Sequence, residues 1–280
     1  MGSVFSPFYA RARRRGAADP EDFCAVNVAL YGERSQRWAF SEHPREAVRR
    51  TETSINLGRS VARWEDERLV IDLDERAAPL WNPRRVIGRV EVSPSVSPQV
   101  SFAIDPDGRH RWWPIAPSGR ARVELSTPGL RFEGSAYLDS NFGEEPLADG
   151  FSSWHWSRAP AADGGATVLY DASPRRGAAY ERAMRFGSDG SWGWLDETLV
   201  PVELPRAGWG VRRWTRADPE GPPPVVMRTL EDSPFYTREL LEASLCGHRG
   251  HAVHESIDLD RWRRPVVQGM LPFRMRRWSV

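Results

Sequence analysis

Ala121-Arg122-Val123-Glu124-Leu125-Ser126-Thr127-Pro128-Gly129-Leu130-Arg131-Phe132-Glu133-Gly134 reads as a strand, a turn and a second strand. Ala121, Val123 and Leu125 recur at every second position, the period of a half-buried strand. Pro128-Gly129 supplies the turn, since proline presets φ and glycine accepts a positive one. Leu130, Phe132 and Gly134 resume the alternation and lead into Ala136 to Asp139.

The same period recurs on both sides of this stretch. Upstream, Val26, Val28 and Leu30 share one face of Ala25 to Tyr31, with Asn27 on the other. Leu69, Ile71 and Leu73 alternate with Val70, Asp72 and Asp74, and Val86, Gly88, Val90 and Val92 do likewise. Asp105-Pro106-Asp107-Gly108 is a turn on the same grounds as Pro128-Gly129. Downstream, Asn141 to Gly150 is acidic and turn-rich. Strand signals resume at Trp154 to Ser157, Thr167 to Asp171, Val225 to Leu230 and His251 to Ile257. One helix is expected, from about Asp258 to Gln268, with Pro265 limiting its regularity. Many short strands at this spacing predict an all-β chain built as sandwiches or barrels. A length of 280 residues suits about two domains, divided at the acidic stretch into 1–145 and 146–280.

Composition removes several function classes. Net charge is +1, so no broad basic surface for nucleic acid is expected. All 39 basic residues are arginine, which excludes a Schiff-base lysine and a P-loop lysine. Cys24 and Cys246 lie far apart and read as buried reduced thiols rather than a disulfide framework or a zinc site. No apolar run is long enough to span a bilayer as a helix. Arg11, Arg13, Arg14 and Arg15 interrupt any signal-peptide core, so cytoplasmic residence is expected. Tryptophan is the outlier at 13 copies, suited to core filling, an apolar tunnel or a cation-binding site.

No G-x-G-x-x-G, Walker loop or H-E-x-x-H occurs. His248 and His251 could pair on a metal, but they sit in a glycine-rich turn, so a solvated turn followed by one strand histidine is the plainer reading and no metal site is expected. In Arg109-His110-Arg111-Trp112-Trp113-Pro114, His110 and Trp112 share a strand face. In Ala136-Tyr137-Leu138-Asp139-Ser140-Asn141, Tyr137 and Asp139 do the same. If these strands are neighbours, one small area holds a carboxyl, an imidazole, a phenol and an indole. The alternative is that Trp112 and Tyr137 are core and Asp139 caps a turn with Ser140. Trp154-His155-Trp156 reads as a strand with tryptophan on one face. Arg274-Met275-Arg276-Arg277-Trp278 reads as a frayed basic tail, with contact to an anionic membrane surface as the alternative.

These segments together resemble a known family. Gly2-Ser3-Val4-Phe5-Ser6-Pro7-Phe8-Tyr9-Ala10, Cys24 to Gly32, Arg109 to Trp112 with Pro114-Ile115-Ala116-Pro117, and Tyr137 to Asn141 are similar to bacterial carotenoid 1,2-hydratases, also called hydroxyneurosporene synthases. So are Trp154 to Ala159, Glu231 to Tyr236, Val253 to Ser256 and Met270 to Met275, so the resemblance runs over essentially the whole chain. It implies two tandem lipocalin-like β-barrel domains with a short C-terminal helix. It implies hydration of the C1–C2 double bond of neurosporene, lycopene or related acyclic carotenoids, without cofactor. It implies that His110, Trp112, Tyr137 and Asp139 match the family's active-site positions, with Asp139 as proton donor. Two departures stand out. The family resembled extends upstream of Gly2 to Pro7 into another strand, leaving a barrel strand or the start site to be accounted for. Trp113 stands where a polar or basic residue is usual, but it points to the opposite strand face.

Hydration by that route begins with proton transfer to C2, which leaves the positive charge on tertiary C1 for water to capture. A free Asp is neutral only about once in a thousand at pH 7, a cost of roughly 4 kcal/mol that burial can remove. Trp112 and Tyr137 would stabilise the cation by about 2 kcal/mol if desolvated, and His110 would orient Asp139 or the water. A substrate stored in membrane implies peripheral contact at the inner membrane. The competing readings are a lipocalin-like polyene carrier, which needs no buried carboxyl, and a pericyclase of the same architecture, which needs no proton donor.

Overall fold

The computed structural model describes residues 5–32, 36–77, 84–195 and 198–277. In chain order the strands begin β1 (Cys24–Leu30), β2 (Arg37–His43), β3 (Val48–Arg50), β4 (Ser54–Leu57), β5 (Ser60–Glu65), β6 (Arg68–Ala77) and β7 (Arg84–Val96). They continue as β8 (Phe102–Ala103), β9 (His110–Thr127), β10 (Leu130–Gly143), β11 (Phe151–Pro160), β12 (Ala166–Pro174), β13 (Tyr180–Phe186) and β14 (Trp192–Trp194). The last are β15 (Val200–Leu204), β16 (Arg213–Ala217), β17 (Val225–Asp232), β18 (Tyr236–Leu245), β19 (His248–Asp258) and β20 (Arg276–Arg277). The α-helices are short: α1 (Pro7–Arg15), α2 (Leu147–Gly150), α3 (Leu259–Trp262) and α4 (Pro265–Met270). The chain is therefore all-β with a short helical segment near its C-terminus, as the alternation predicts.

That segment is two helices rather than one. Asp258 caps α3 by accepting from Arg261 N at 2.8 Å. Pro265 brings no N–H and cannot continue α3, so it opens α4 instead.

Contacts divide the chain into two compact units. The first takes Met1–Ser93, Arg120–Gly134 and Gln268–Val280, and the second takes Pro94–Gly119 and Ser135–Val267. These units differ in extent from the sequence-order halves 1–145 and 146–280, because β9 and β10 each contribute residues to both.

In the first unit, β1 pairs antiparallel with β2, and β3 to β7 pair in succession. Val26, Val28 and Leu30 do share a face, packing on the cluster of Ala39, Leu73, Val86, Val123 and Leu125. Gly88, at φ 150°, is required there: a Cβ would run into the backbone of Glu124 and Leu125. The basic C-terminal stretch is not frayed. β20 pairs in parallel with β2, Met275 is buried, and Arg277 donates to the buried Glu42 carboxylate at 2.7 Å. The Arg274 guanidinium lies 4.3 Å over the Trp38 ring and that of Arg277 4.4 Å over Phe23. These contacts turn cations read as solvated into cation–π partners. Trp278, and Gly2 to Val4 of the N-terminal motif, lie outside the described residues.

The second unit holds an antiparallel sheet in the order β14-β13-β12-β11-β19-β18-β17, with β15 and β16 paired separately. Among the described residues the path ends at β14 and β17, so this sheet is open and the closed β-barrel expected from the resemblance is not formed here. β8 pairs with β9, placing Phe102 opposite Trp112. Cys24 and Cys246 are both thiols, the first buried and the second only half-buried. Among the described residues no cluster of His, Cys, Asp and Glu could hold a metal ion. His248 and His251 are exposed, whereas His254 is the buried strand histidine.

Candidate active site

The turn read at Asp105 to Gly108 fixes the start of β9. Gly108 adopts φ 66° and its N–H returns to Asp105 O at 3.1 Å. The Asp105 carboxylate then accepts from His110 N at 2.7 Å and Arg109 N at 3.3 Å. β9 neighbours β10, with Glu144 N donating to Arg109 O at 3.0 Å. Alternation along β9 buries both His110 and Trp112 on one face.

From the other strand, Tyr137 and Asp139 meet Trp112. Trp112 Nε1 donates to Asp139 Oδ2 at 3.0 Å and also lies 3.0 Å from the Tyr137 hydroxyl. The Tyr137 hydroxyl donates to the same Oδ2 at 2.9 Å. Asn141 Nδ2 adds a longer contact at 3.4 Å, and its Oδ1 accepts from the Tyr170 hydroxyl at 3.0 Å. Three donors thus converge on one oxygen of the carboxyl.

Electrostatics follow from this packing. Burial is the largest influence on Asp139 and pushes its pKa up to about 6. The Glu255 charge pushes the same way, while the bonds from Tyr137, Trp112 and Asn141 oppose the rise. Burial also raises Tyr137 and Tyr170 well above the usual phenol range, so both remain donors at neutral pH. At pH 7 a carboxyl with pKa about 6 is neutral roughly one time in ten, against about one in a thousand for a free Asp.

Rings enclose the group. Tyr137 stands 4.9 Å from Trp156, and Trp112 5.3 Å from Tyr170, 5.6 Å from Phe102 and 6.3 Å from Phe186. Trp112 is fully buried, whereas Tyr137 and Asp139 retain partial exposure. The ring that an incoming group would meet is therefore Tyr137, and Trp112 serves mainly through its N–H edge. The buried Arg158 clips the two site strands together, donating to Ser135 Oγ at 3.0 Å, Ala136 O at 3.3 Å and Pro117 O at 3.3 Å.

The fourth expected residue stands apart from this trio. His110 makes no hydrogen bond to Trp112, Tyr137 or Asp139 among the described residues, and its buried Nε2 is without a hydrogen-bond partner. That nitrogen lies 3.6 Å from Glu145 Oε1, and the ring meets Phe151 edge-on at 4.9 Å. Gly143 and Gly150 flank it closely: a Cβ on Gly150 would lie 2.6 Å from Nε2, and one on Gly143 would collide with Nδ1. The expected orienting contact from His110 to Asp139 is replaced by contacts from Trp112, Tyr137 and Asn141. Asn141, Trp156 and Arg158 fall in segments noted in the sequence but, like Tyr170, are not assigned to the site there. Asn141 lay within reach, because it continues the alternation Tyr137, Asp139, Asn141; the others come from strands distant in sequence.

Trp154-His155-Trp156 lies on β11 as expected, and its two sides are chemically distinct. Trp156 joins the ring wall, while His155 Nδ1 pairs with Ser256 Oγ at 2.8 Å, and His254 bonds Ser157 and Ser256. Burial depresses both histidines to about 3, so this cluster is neutral. A cavity of about 840 Å³ lies in the first unit, lined by Asp72, Arg89, Glu91, Arg122, Glu124 and Arg131 among others. It contains none of the trio, and its wall mixes those charged side chains with Leu73, Ile87, Leu125 and Leu130.

Comparison with known proteins gives a consistent picture. The family model described as carotenoid hydratase CrtC matches residues 1–280. An acyclic carotenoid 1,2-hydratase from Thiocapsa roseopersicina is 47% identical over 280 residues, covering 99% of this chain and 67% of that one. Proteins of the same name from Rubrivivax gelatinosus and Cereibacter sphaeroides are 43% and 37% identical, covering 99% and 100% of this chain and 68% and 98% of theirs. A solved structure from Nitrosomonas europaea, assigned provisionally as AttH, aligns with a TM-score of 0.55 at 12% identity, over 83% of this chain and 85% of that one. That likeness concerns the fold alone.

Proposed function

This chain belongs to the carotenoid hydratase family, and we propose that Asp139 is the acid with which it adds water to the C1–C2 double bond of an acyclic carotenoid. The activity is that of a hydro-lyase in carotenoid biosynthesis. The observation that carries the acid assignment is the one-sided hydrogen bonding of Asp139. Oδ2 takes the bonds from Tyr137, Trp112 and Asn141, so the proton resides on Oδ1.

The steps balance without a redox partner. The Oδ1–H bond breaks as the alkene π electrons form a C–H bond at C2. The positive charge then sits on tertiary C1 and the negative charge on a carboxylate held by three donors. Water adds through oxygen to C1, and its surplus proton returns to Asp139. The partly exposed Tyr137 ring faces the cation, with Trp156 behind it; such a contact contributes about 2 kcal/mol when desolvated. His110 and Glu145 form a second polar pair near the start of β9, suited to holding the attacking water.

We read the two contact units as counterparts of the two lipocalin-like domains that the resemblance implies, on the ground that antiparallel pairing predominates in each. Among the described residues no helix is long and apolar enough to cross a membrane. Peripheral attachment at the cytoplasmic face of the membrane that stores the substrate is part of this reading. The exposed Met270 and Phe273 beside Arg274 suit it. Retention by liposomes in a flotation assay is the expected result.

The test is incubation with an acyclic carotenoid in deuterated water. The product should gain one water and carry one carbon-bound deuterium at C2. Near-normal turnover by Asp139→Asn would overturn the acid assignment.

A further inference from the structure

The site above accounts for one end of the substrate, whereas an acyclic carotenoid is a long conjugated chain. Within the second unit, a series of rings leads outward from the site. Phe102 lies 5.6 Å from Trp112 and meets Trp192 at 5.1 Å and Trp194 at 5.4 Å, both edge-on. Trp192 and Trp194 sit two apart on the edge strand β14, hence on one face. They are 40% and 46% exposed, although they touch each other at 6.3 Å. Beneath them, Phe186 pairs with Trp192 across the ladder, is fully buried, and stands edge-on to Trp112 at 6.3 Å. The Arg182 guanidinium lies 5.5 Å over the Trp194 ring.

Single exposed apolar residues need no explanation, but two tryptophans joined ring to ring with a buried site form a patch. An edge strand is ordinarily guarded by charge or proline rather than by indoles. We propose that Trp192 and Trp194 form a binding subsite for the polyene chain, holding it along their exposed surfaces while its end group reaches Asp139. A planar conjugated chain offers these rings the same offset and edge contacts that aromatic pairs use. The occupant follows from continuity with the site and from the substrate's own shape, so the inference rests on the hydratase reading above. Binding remote from the reacting bond is shared by ground and transition states, so its loss raises KM more than it lowers kcat.

The test compares wild type, Trp192→Ala, Trp194→Ala and the double variant on two substrates in detergent micelles. One is a full-length acyclic carotenoid. The other is a short isoprenoid with the same terminal alkene, too short to pass Phe102. The ratio of kcat/KM, long over short, should fall roughly 3- to 10-fold per tryptophan through KM for the long substrate. Trp192→Phe and Trp194→Phe, which keep a ring, should recover most of that ratio and so separate the effect from misfolding. An unchanged ratio in the double variant overturns the proposal. So does a loss seen only when substrate is offered in lipid vesicles, since that outcome assigns the patch to the bilayer. If wild type hydrates neither substrate, the hydratase reading fails by itself. Polyene binding to Asp139→Asn, titrated by quenching of tryptophan fluorescence, still reads the subsite, and an affinity left unchanged by removal of Trp192 and Trp194 overturns it.

Discussion

Trp112 Nε1 stands 3.0 Å from Asp139 Oδ2, so the indole addresses the carboxyl with its N–H edge while Phe102 and Tyr170 pack against its ring. This relationship decides what Trp112→Phe does. Phenylalanine keeps a ring but removes the donor, and that bond is one of three holding the Asp139 pKa down. A hydrogen bond to a charged group contributes about 1.5–3 kcal/mol, which corresponds to roughly 1–2 pKa units. In Trp112→Phe the falling limb of kcat/KM against pH should move up by about that amount from its wild-type position near 6. A limb that stays in place would mean that the indole acts through its face.

Asp139→Asn should lower kcat by about 10²–10⁴, the usual range for removal of a general acid. Its effect on stability has the opposite sign at neutral pH. The folded pKa of about 6 lies above the ordinary 3.8. Between those values the folded state binds more protons than the unfolded one, so stability falls as pH rises through about 4 to 6. Above that window the ionised, buried carboxyl costs about 3 kcal/mol. Asn carries no such penalty. In denaturant titrations the variant should be more stable than wild type at pH 7–8, by up to about 3 kcal/mol, and equal to it below about pH 4. A difference that does not vary with pH would remove the buried carboxyl from the account.

How much of this was legible in the sequence depends on the range of the interaction. Strand alternation places Val26, Val28 and Leu30 on one face and Trp112 in the buried row of β9, because a period of two is a local property. The meeting of Trp112, Tyr137 and Asp139 was conditional on their strands being neighbours, and the pairing of β9 with β10 meets that condition. Tyr170 and Trp156 come from β12 and β11, and no periodicity brings them to position 139. The docked C-terminus is illegible in the sequence for a different reason. Arg274 and Arg277 read as solvated charges until Trp38, Phe23 and Glu42 are seen beneath them. His110 shares the strand face of Trp112, as spacing requires, yet its ring lies against Glu145 and the closely approaching Gly143 and Gly150.

Tyr170 acts on Asp139 through Asn141, since its hydroxyl bonds Asn141 Oδ1 and Asn141 Nδ2 faces the carboxyl. Asn141 is exposed, so Tyr170→Phe frees its amide to rotate and leaves its oxygen to water, a loss of about 0.5–1.5 kcal/mol. kcat should fall roughly 2- to 10-fold with little change in KM, and Asn141→Ala should produce a similar loss. In Tyr170→Phe with Asn141→Ala the two effects should not add, because both act through one amide. Fully additive losses would show that Tyr170 reaches the reaction by another route.

The imidazole of His110 is confined by Gly143 and Gly150, and these glycines offer a way to move it without changing it. A methyl at Gly150 would sit 2.6 Å from Nε2, well inside van der Waals contact, and one at Gly143 would press on Nδ1. Gly150→Ala should therefore push the ring off Glu145 and lose about 1–3 kcal/mol of stability through overpacking. Combining it with His110→Ala removes the clash, so most of that stability should return. If His110 holds the attacking water, activity stays low in the double variant although the fold is restored. Recovery of both stability and turnover would make His110 a packing residue and leave the water to other groups.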